Sequence, residues 1–186
     1  MKAHVFICCL ILSVLRSQAA EFDLGTNGNL SVTIPKDWTV RSKALDKSDG
    51  TPIGYLLGFE LGSPASAKGM VTFFYERIGF RSKENINQLV LRACEEFVSG
   101  SVEQKKNVTE FSLQKGYGAY CLFTDASLVG KKAKPDQHKV MGSGVVQPAE
   151  NMMGSVSLFA DKPDSMEFKA MIRIINSIKV KPSDAK

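Results

Sequence analysis

Beyond Ala19 the chain holds one histidine, His138, and two cysteines, Cys94 and Cys121. That shortage bounds the chemistry open to it. A nucleophilic triad needs a base within hydrogen-bond reach of a serine or cysteine. His138 sits in the stretch Lys131-Lys132-Ala133-Lys134-Pro135-Asp136-Gln137-His138-Lys139, where the positive field disfavours its charged form. It reads as a solvated loop histidine rather than a catalytic base. No Gly-x-Ser-x-Gly elbow occurs; Gly142-Ser143-Gly144 reads as a glycine-rich strand segment. Structural zinc needs about four Cys or His ligands, and the three available side chains are scattered at 94, 121 and 138. Asp46-Lys47-Ser48-Asp49-Gly50 offers oxygens but lacks the closing glutamate of a calcium loop, so it reads as an exposed turn. Glu95 and Glu96 adjoin on a predicted helix, where neighbours point in different directions. No phosphate-binding loop or dinucleotide fingerprint is present. The expectation is a non-enzyme with no cofactor and no metal.

Two other features could still do something. Cys94 and Cys121 form a disulfide if the chain is exported, and two buried free thiols otherwise. The basic loop, with Lys131, Lys132, Lys134, His138 and Lys139, is the candidate interaction surface. It could meet an acidic protein or anionic headgroups in a salt-sensitive way, or simply be a solvated, solubilising loop.

The first residues favour export. Lys2 is a short positive start, Val5 to Leu15 is an apolar run, and Ser17-Gln18-Ala19 supplies small residues for cleavage after Ala19. The apolar run falls short of the roughly 20 residues that span a membrane. Cys8 and Cys9 follow Phe6-Ile7, a poor setting for lipid attachment. Residues 1–19 therefore read as a signal peptide and 20–186 as a single domain, with its ordered core over about 28–181 and an exported, periplasmic or secreted location. Cleavage removes Lys2 and Arg16 and no acid, so the formal net charge falls from +5 to +3. A dense basic stripe for nucleic acid is not there. No later apolar run is long enough to span a membrane. Asn29-Leu30-Ser31 and Asn107-Val108-Thr109 match the glycosylation pattern, which matters only in a host that glycosylates.

The elements that would position these residues follow from periodicity. Leu30 to Ile34 alternates at period two and Trp38 to Ala44 continues it; Ile53 to Leu61 and Met70 to Arg77 are two further strands joined through Gly62 to Gly69. Ile86, Leu89, Val90, Ala93, Cys94, Phe97 and Val98 then share one helical face, predicting a helix from about Glu84 to Ser99, capped by Ser82 and ended by Gly100. Cys94 lies on that stripe, so a partner on an underlying strand is sensible. Val108 to Lys115, Ala119 to Leu128, Val140 to Val146 and Met152 to Ala160 read as strands. A closing helix carries Phe168, Met171, Ile172, Ile175 and Ile178, with Asp164 as its cap and Glu167 three residues on. Lys179 and Lys181 fall beyond its end, and residues 20–29 and 183–186 read as loose. Four strands, a helix, four strands and a helix give an α+β domain: a mainly antiparallel sheet covered by two helices in a layered sandwich.

Within that order, Ile34-Pro35 followed by Trp38, and the ending Phe168, Ile175, Ser177, Ile178 and Lys179, resemble the PsbP-like superfamily. It includes the extrinsic subunit of the oxygen-evolving complex, a Ran-binding import factor and DcrB-type periplasmic lipoproteins. The resemblance spans about residues 28–181 and rests on short apolar motifs. It implies an antiparallel sheet flanked by helices and a binding or assembly role. The expected function is a non-enzymatic accessory domain that docks on a protein partner, acidic if the basic loop is used. The alternative is a carrier that holds a small apolar ligand or lipid between helix and sheet. Trp38, the chain's only tryptophan, follows a tight turn at a strand start. It serves either as a plug for the core or as an exposed platform.

Overall fold

The computed structural model describes residues 17–62, 64–76, 79–132, 134 and 136–183. The expected signal peptide lies outside the described residues up to residue 16.

Two antiparallel sheets and two helices make an α+β fold. The small sheet comprises β1 (Ser17–Asp23), β2 (Asn29–Pro35) and β10 (Lys179–Lys181), in the order β1-β2-β10. The large sheet contains β3 (Trp38–Asp46), β4 (Pro52–Leu61), β5 (Ala67–Tyr75), β6 (Val108–Glu110), β7 (Tyr117–Thr124), β8 (Val140–Ala149) and β9 (Met152–Ala160). Its order is β3-β4-β5-β9-β8-β7-β6, and every neighbouring pair is antiparallel. Helix α1 (Lys83–Ala93) follows β5, and α2 (Met166–Asn176) follows β9.

Period-two alternation fixes which side chains share a face, because opposed residues of antiparallel strands point the same way. One row across the large sheet runs Ser42, Leu57, Val71, Val156, Gly144, Tyr120. This face meets α2 and the small sheet. Leu57, Val71 and Val156 pack there in one cluster with Leu30 and Val32 of β2 and Phe168, Met171, Ile174 and Ile175 of α2. Glycine makes room for this packing. A Cβ on Gly69 would lie 2.1 Å from the Phe59 ring. The opposite face carries a row Lys43, Leu56, Thr72, Ser155, Val145, Ala119. Helix α1 packs on β6, β7 and β8. Its Ile86, Val90 and the following Cys94 close over Ala119, Cys121, Phe123 and Val145.

Several elements differ from their expected bounds. Residues 20–29 are not loose. β1 pairs with β2 from Asp23↔Asn29 to Ser17↔Pro35, and Gly25–Asn27 forms a 3₁₀ turn. Phe22 of β1 packs against the core, which a short polar-flanked strand does not announce. Lys179–Lys181, placed beyond the last helix, adds a third strand on β2. α1 ends at Ala93 rather than Ser99, and Glu95–Phe97 tightens into a 3₁₀ turn, a common way to finish a helix. Ser82 does cap α1, accepting from the Asn85 N–H at 3.2 Å. The cap of α2 is Ser165, not Asp164: its hydroxyl accepts from the Phe168 N–H at 3.1 Å. Two adjacent capping residues compete, and the burial of Phe168 selects the register that places it at the third helical position. The strand expected over 108–115 shrinks to Val108–Glu110, and 119–128 breaks at Thr124 into a 3₁₀ turn at Ala126–Leu128.

Candidate interaction surface and binding cleft

α1 covers only the β6–β8 part of the second sheet face. Among the described residues, no helix packs on the remainder, on β3, β4, β5 and β9. Its rows place Arg41, Gly58, Met70 and Ser157 side by side, then Lys43, Leu56, Thr72 and Ser155, then Phe74 beside Met153. Met70 is 40% exposed and Phe74 42%. A fourth row aligns Thr39, Glu60, Lys68 and Phe159. The Lys68 ammonium lies 5.6 Å from the centre of the Phe159 ring. Arg41 pairs with Glu60 at 2.8 Å, an exposed bridge that adds little stability. A groove of about 310 Å³ lies among Arg41, Gly58, Met70, Lys68 and Phe159. The result is an apolar strip edged by three cations, Arg41, Lys43 and Lys68.

The basic loop joins this surface through His138, whose ring lies 6.1 Å from that of Phe159. Lys131, Lys132 and Lys134 are exposed, and Lys139 is half-buried. His138 is not the solvated histidine that its neighbours suggest. It is half-buried, and neither ring nitrogen has a hydrogen-bond partner among the described residues. Sequence misses this because β8 begins at Val140, which draws the end of the loop down onto β9. Burial, then the nearby Lys68, hold the His138 pKa below its ordinary value, against the opposing pull of Asp161 and Asp136. The unfolded chain therefore binds a proton before the folded one as pH falls. Stability tied to the neutral ring is complete above the ordinary value of 6.5 and is lost as pH falls toward the folded pKa. His138→Gln should flatten the pH dependence of urea unfolding below about pH 6.5. An identical slope in wild type and variant would refute this.

Cys94 and Cys121 are fully buried and fall in one cluster. Both are free thiols in this structure, so the expected bridge is not formed in it. The Cys94 thiol donates to the Ser143 carbonyl at 3.4 Å, and Ser143 is the register partner of Cys121. Burial, followed by the adjacent Cys94, pushes the Cys121 thiol up to about 12. Such a thiol is inert as a nucleophile.

Trp38 is 9% exposed and packs against Phe59, ring centres 6.1 Å apart. It plugs one end of the core. Its outer edge also lines a cleft of about 550 Å³ between α2 and the β2–β3 turn. The Ile34–Trp38 and Phe168–Lys179 stretches meet here. Ser177, at the end of α2, accepts from the Thr33 N–H at 2.8 Å and donates to the Ile174 carbonyl at 2.7 Å.

The Asp46–Gly50 segment, read as a turn, begins inside β3, which ends at Asp46, and the chain turns over Lys47–Gly50. Asp49 accepts from the Thr51 N–H at 2.9 Å, and hydrogen bonding to Thr51 lowers its pKa. Glu95 pairs with Lys106. Among the described residues no group of three His, Cys, Asp or Glu side chains could hold a metal, and no helix is long and apolar enough to cross a membrane. Sequence reasoning places Gln147 in a loop, yet it is 1% exposed. It donates to the Gly79 carbonyl at 2.6 Å and accepts from the Arg81 N–H at 2.8 Å, anchoring the approach to α1. Nothing local marks it, because both partners are more than sixty residues away.

No family model matches the chain, and no curated protein matches it. A crystal structure from Bacteroides thetaiotaomicron VPI-5482, at 1.50 Å, is similar over 84% of this chain, with 13% identity and a TM-score of 0.47. The match covers 47% of that structure's chain, so this chain spans about half its length.

Proposed function

We propose that this chain is an exported, non-enzymatic accessory domain that docks an acidic protein partner on the open part of its large sheet. The observation that carries the reading is the uncovered strip on β3, β4, β5 and β9, with Met70 and Phe74 exposed among Arg41, Lys43 and Lys68. An apolar surface edged by three cations against one carboxylate, Glu60, suits a partner that is apolar at its centre and acidic at its rim. The loop from Lys131 to Lys139 extends the positive field beyond Phe159. In this reading the fold is a PsbP-like layered sandwich with one outer face left half open, in keeping with the assembly roles of that superfamily.

Export fits the first 19 residues, and cleavage after Ala19 would take Ser17, Gln18 and Ala19 from β1 and leave Ala20–Asp23 paired with β2. N-terminal sequencing of exported protein should begin at Ala20; a start at Met1 would refute processing.

The docking test is a pull-down from an envelope extract of the native host at low and high salt. One stoichiometric acidic partner is expected, released at high salt. Met70→Glu and Lys68→Glu should each abolish capture while leaving the melting temperature within about 2 °C, because Met70 is exposed and the half-buried Lys68 makes no ion pair among the described residues. Capture that both variants retain, or no capture at all, would sink the reading.

A further inference from the structure

The cleft beside Trp38 lies on the other side of the large sheet from the proposed docking strip. α2 carries two stripes. Phe168, Met171, Ile175 and Ile178, just past its end, are buried against the sheets. Met166, Ala170, Ile174 and Ser177 recur at helical spacing and line the cleft, Ala170 and Ile174 as buried members of the same core cluster that form its floor. Across from them stand Pro35, Trp38 and Leu61. The small side chains of Ala170 and Ser177 leave the space open. Its volume of about 550 Å³ lies within the roughly 300–1,000 Å³ of small-molecule sites.

The charges give the cleft a direction. Arg173 lies in the last turn of α2, and none of the ion pairs among the described residues uses it. Ser177 is one turn further along the same face. At the other end, Met166 is 75% exposed at the mouth and Glu167 follows it. Met166 and Arg173 are separated by roughly 10 Å along a helix rising 1.5 Å per residue. Asp37 adjoins Trp38 on the facing turn. An anion is therefore favoured at the Arg173 end and opposed where Asp37 and Glu167 stand.

We propose that this cleft binds a single-chain amphiphile with an anionic head, its tail along Trp38, Ala170 and Met166 and its head at Arg173. Apolar walls supply affinity without direction, and the guanidinium supplies a charge-assisted hydrogen bond to a carboxylate. Such a ligand leaves the docking strip free.

Because the chain has one tryptophan, and it lines the cleft, its fluorescence reads occupancy directly. The probe is ω-bromoundecanoate, below its micelle concentration, added to the exported protein beginning at Ala20; bromine quenches indole emission on contact. Saturable quenching is expected. Arg173→Gln should weaken the acid about tenfold, as one charge-assisted hydrogen bond does, and leave the matching bromo-alcohol unchanged. Ala170→Phe should abolish quenching by filling the space. Met166→Glu, at an exposed position that cannot unfold the core, should weaken both probes. Lys68→Glu should leave every titration unaltered, which separates this site from the docking strip. Quenching that does not saturate, or that Ala170→Phe and Met166→Glu leave intact, overturns the site. Equal affinity for acid and alcohol in the wild type overturns the assignment of the head to Arg173.

Discussion

Trp38→Ala is expected to destabilise the chain by about 3–5 kcal/mol, the range for truncating large buried aromatics. The indole is 9% exposed and stacks obliquely on Phe59, which is itself 2% exposed. Its register partner is Leu61, and it belongs to the same core cluster as Ile174 of α2, which stands across the cleft that its outer edge lines. Removing the ring extends the adjacent cleft into the core, so water enters a space lined by Phe59 and Ile174. Chemical denaturation of wild type and variant measures the loss. Trp38→Phe should recover most of it, because a smaller ring still covers Phe59. An unchanged melting curve for Trp38→Ala would mean that the ring is a platform and covers nothing.

Oxidation of Cys94 and Cys121 is expected to add about 3–4 kcal/mol, the chain-entropy figure for a loop of about 28 residues. The geometry supports the pairing: the last residue of the α1 stripe lies over the strand that carries Cys121, in one buried cluster. The thiol form seen here has its own signature. Both sulfurs are buried and the Cys121 thiol is pushed up to about 12, so neither reacts while the chain is folded. Alkylation of native protein would therefore mistake protection for a bridge. Exported protein must be unfolded in guanidinium without reductant and then alkylated and weighed. No added mass at Cys94 or Cys121 is the expected result, and two alkylated thiols would refute the bridge. Reductant should lower the unfolding midpoint of the oxidised protein, and Cys94→Ala should remove that sensitivity.

The amphiphile cleft and the docking strip differ in what they ask of the sequence. Met70 and Phe74 alternate with Val71 and Phe73 along β5, and all four fit one apolar strand. Their alternation says that two faces exist. It does not say which face is covered, because that depends on where α1 lands after the crossover from β5. Likewise Ala170 and Ser177 read as ordinary helix residues until Trp38 and Pro35 are brought opposite them. His138 belongs with these. Its lysine neighbours imply water, and only its packing against Phe159 shows otherwise.

The sequence by itself determined the strand periods of β2, β4, β5, β8 and β9, both helices and the Ser82 cap. It also determined the placement of Cys94 on a buried stripe and the α+β class. These are local properties, set by side-chain alternation and turn chemistry within a few residues. Tertiary structure alone decided that β5 pairs with β9, that Ser17–Asp23 and Lys179–Lys181 flank β2, and that Ser165 rather than Asp164 caps α2. It also decided that α1 shields one part of a sheet face and leaves the rest open. Each of those outcomes depends on contacts between residues far apart in the chain. The free energy that selects them comes from burying paired apolar faces, and no short window of sequence contains both members of the pair.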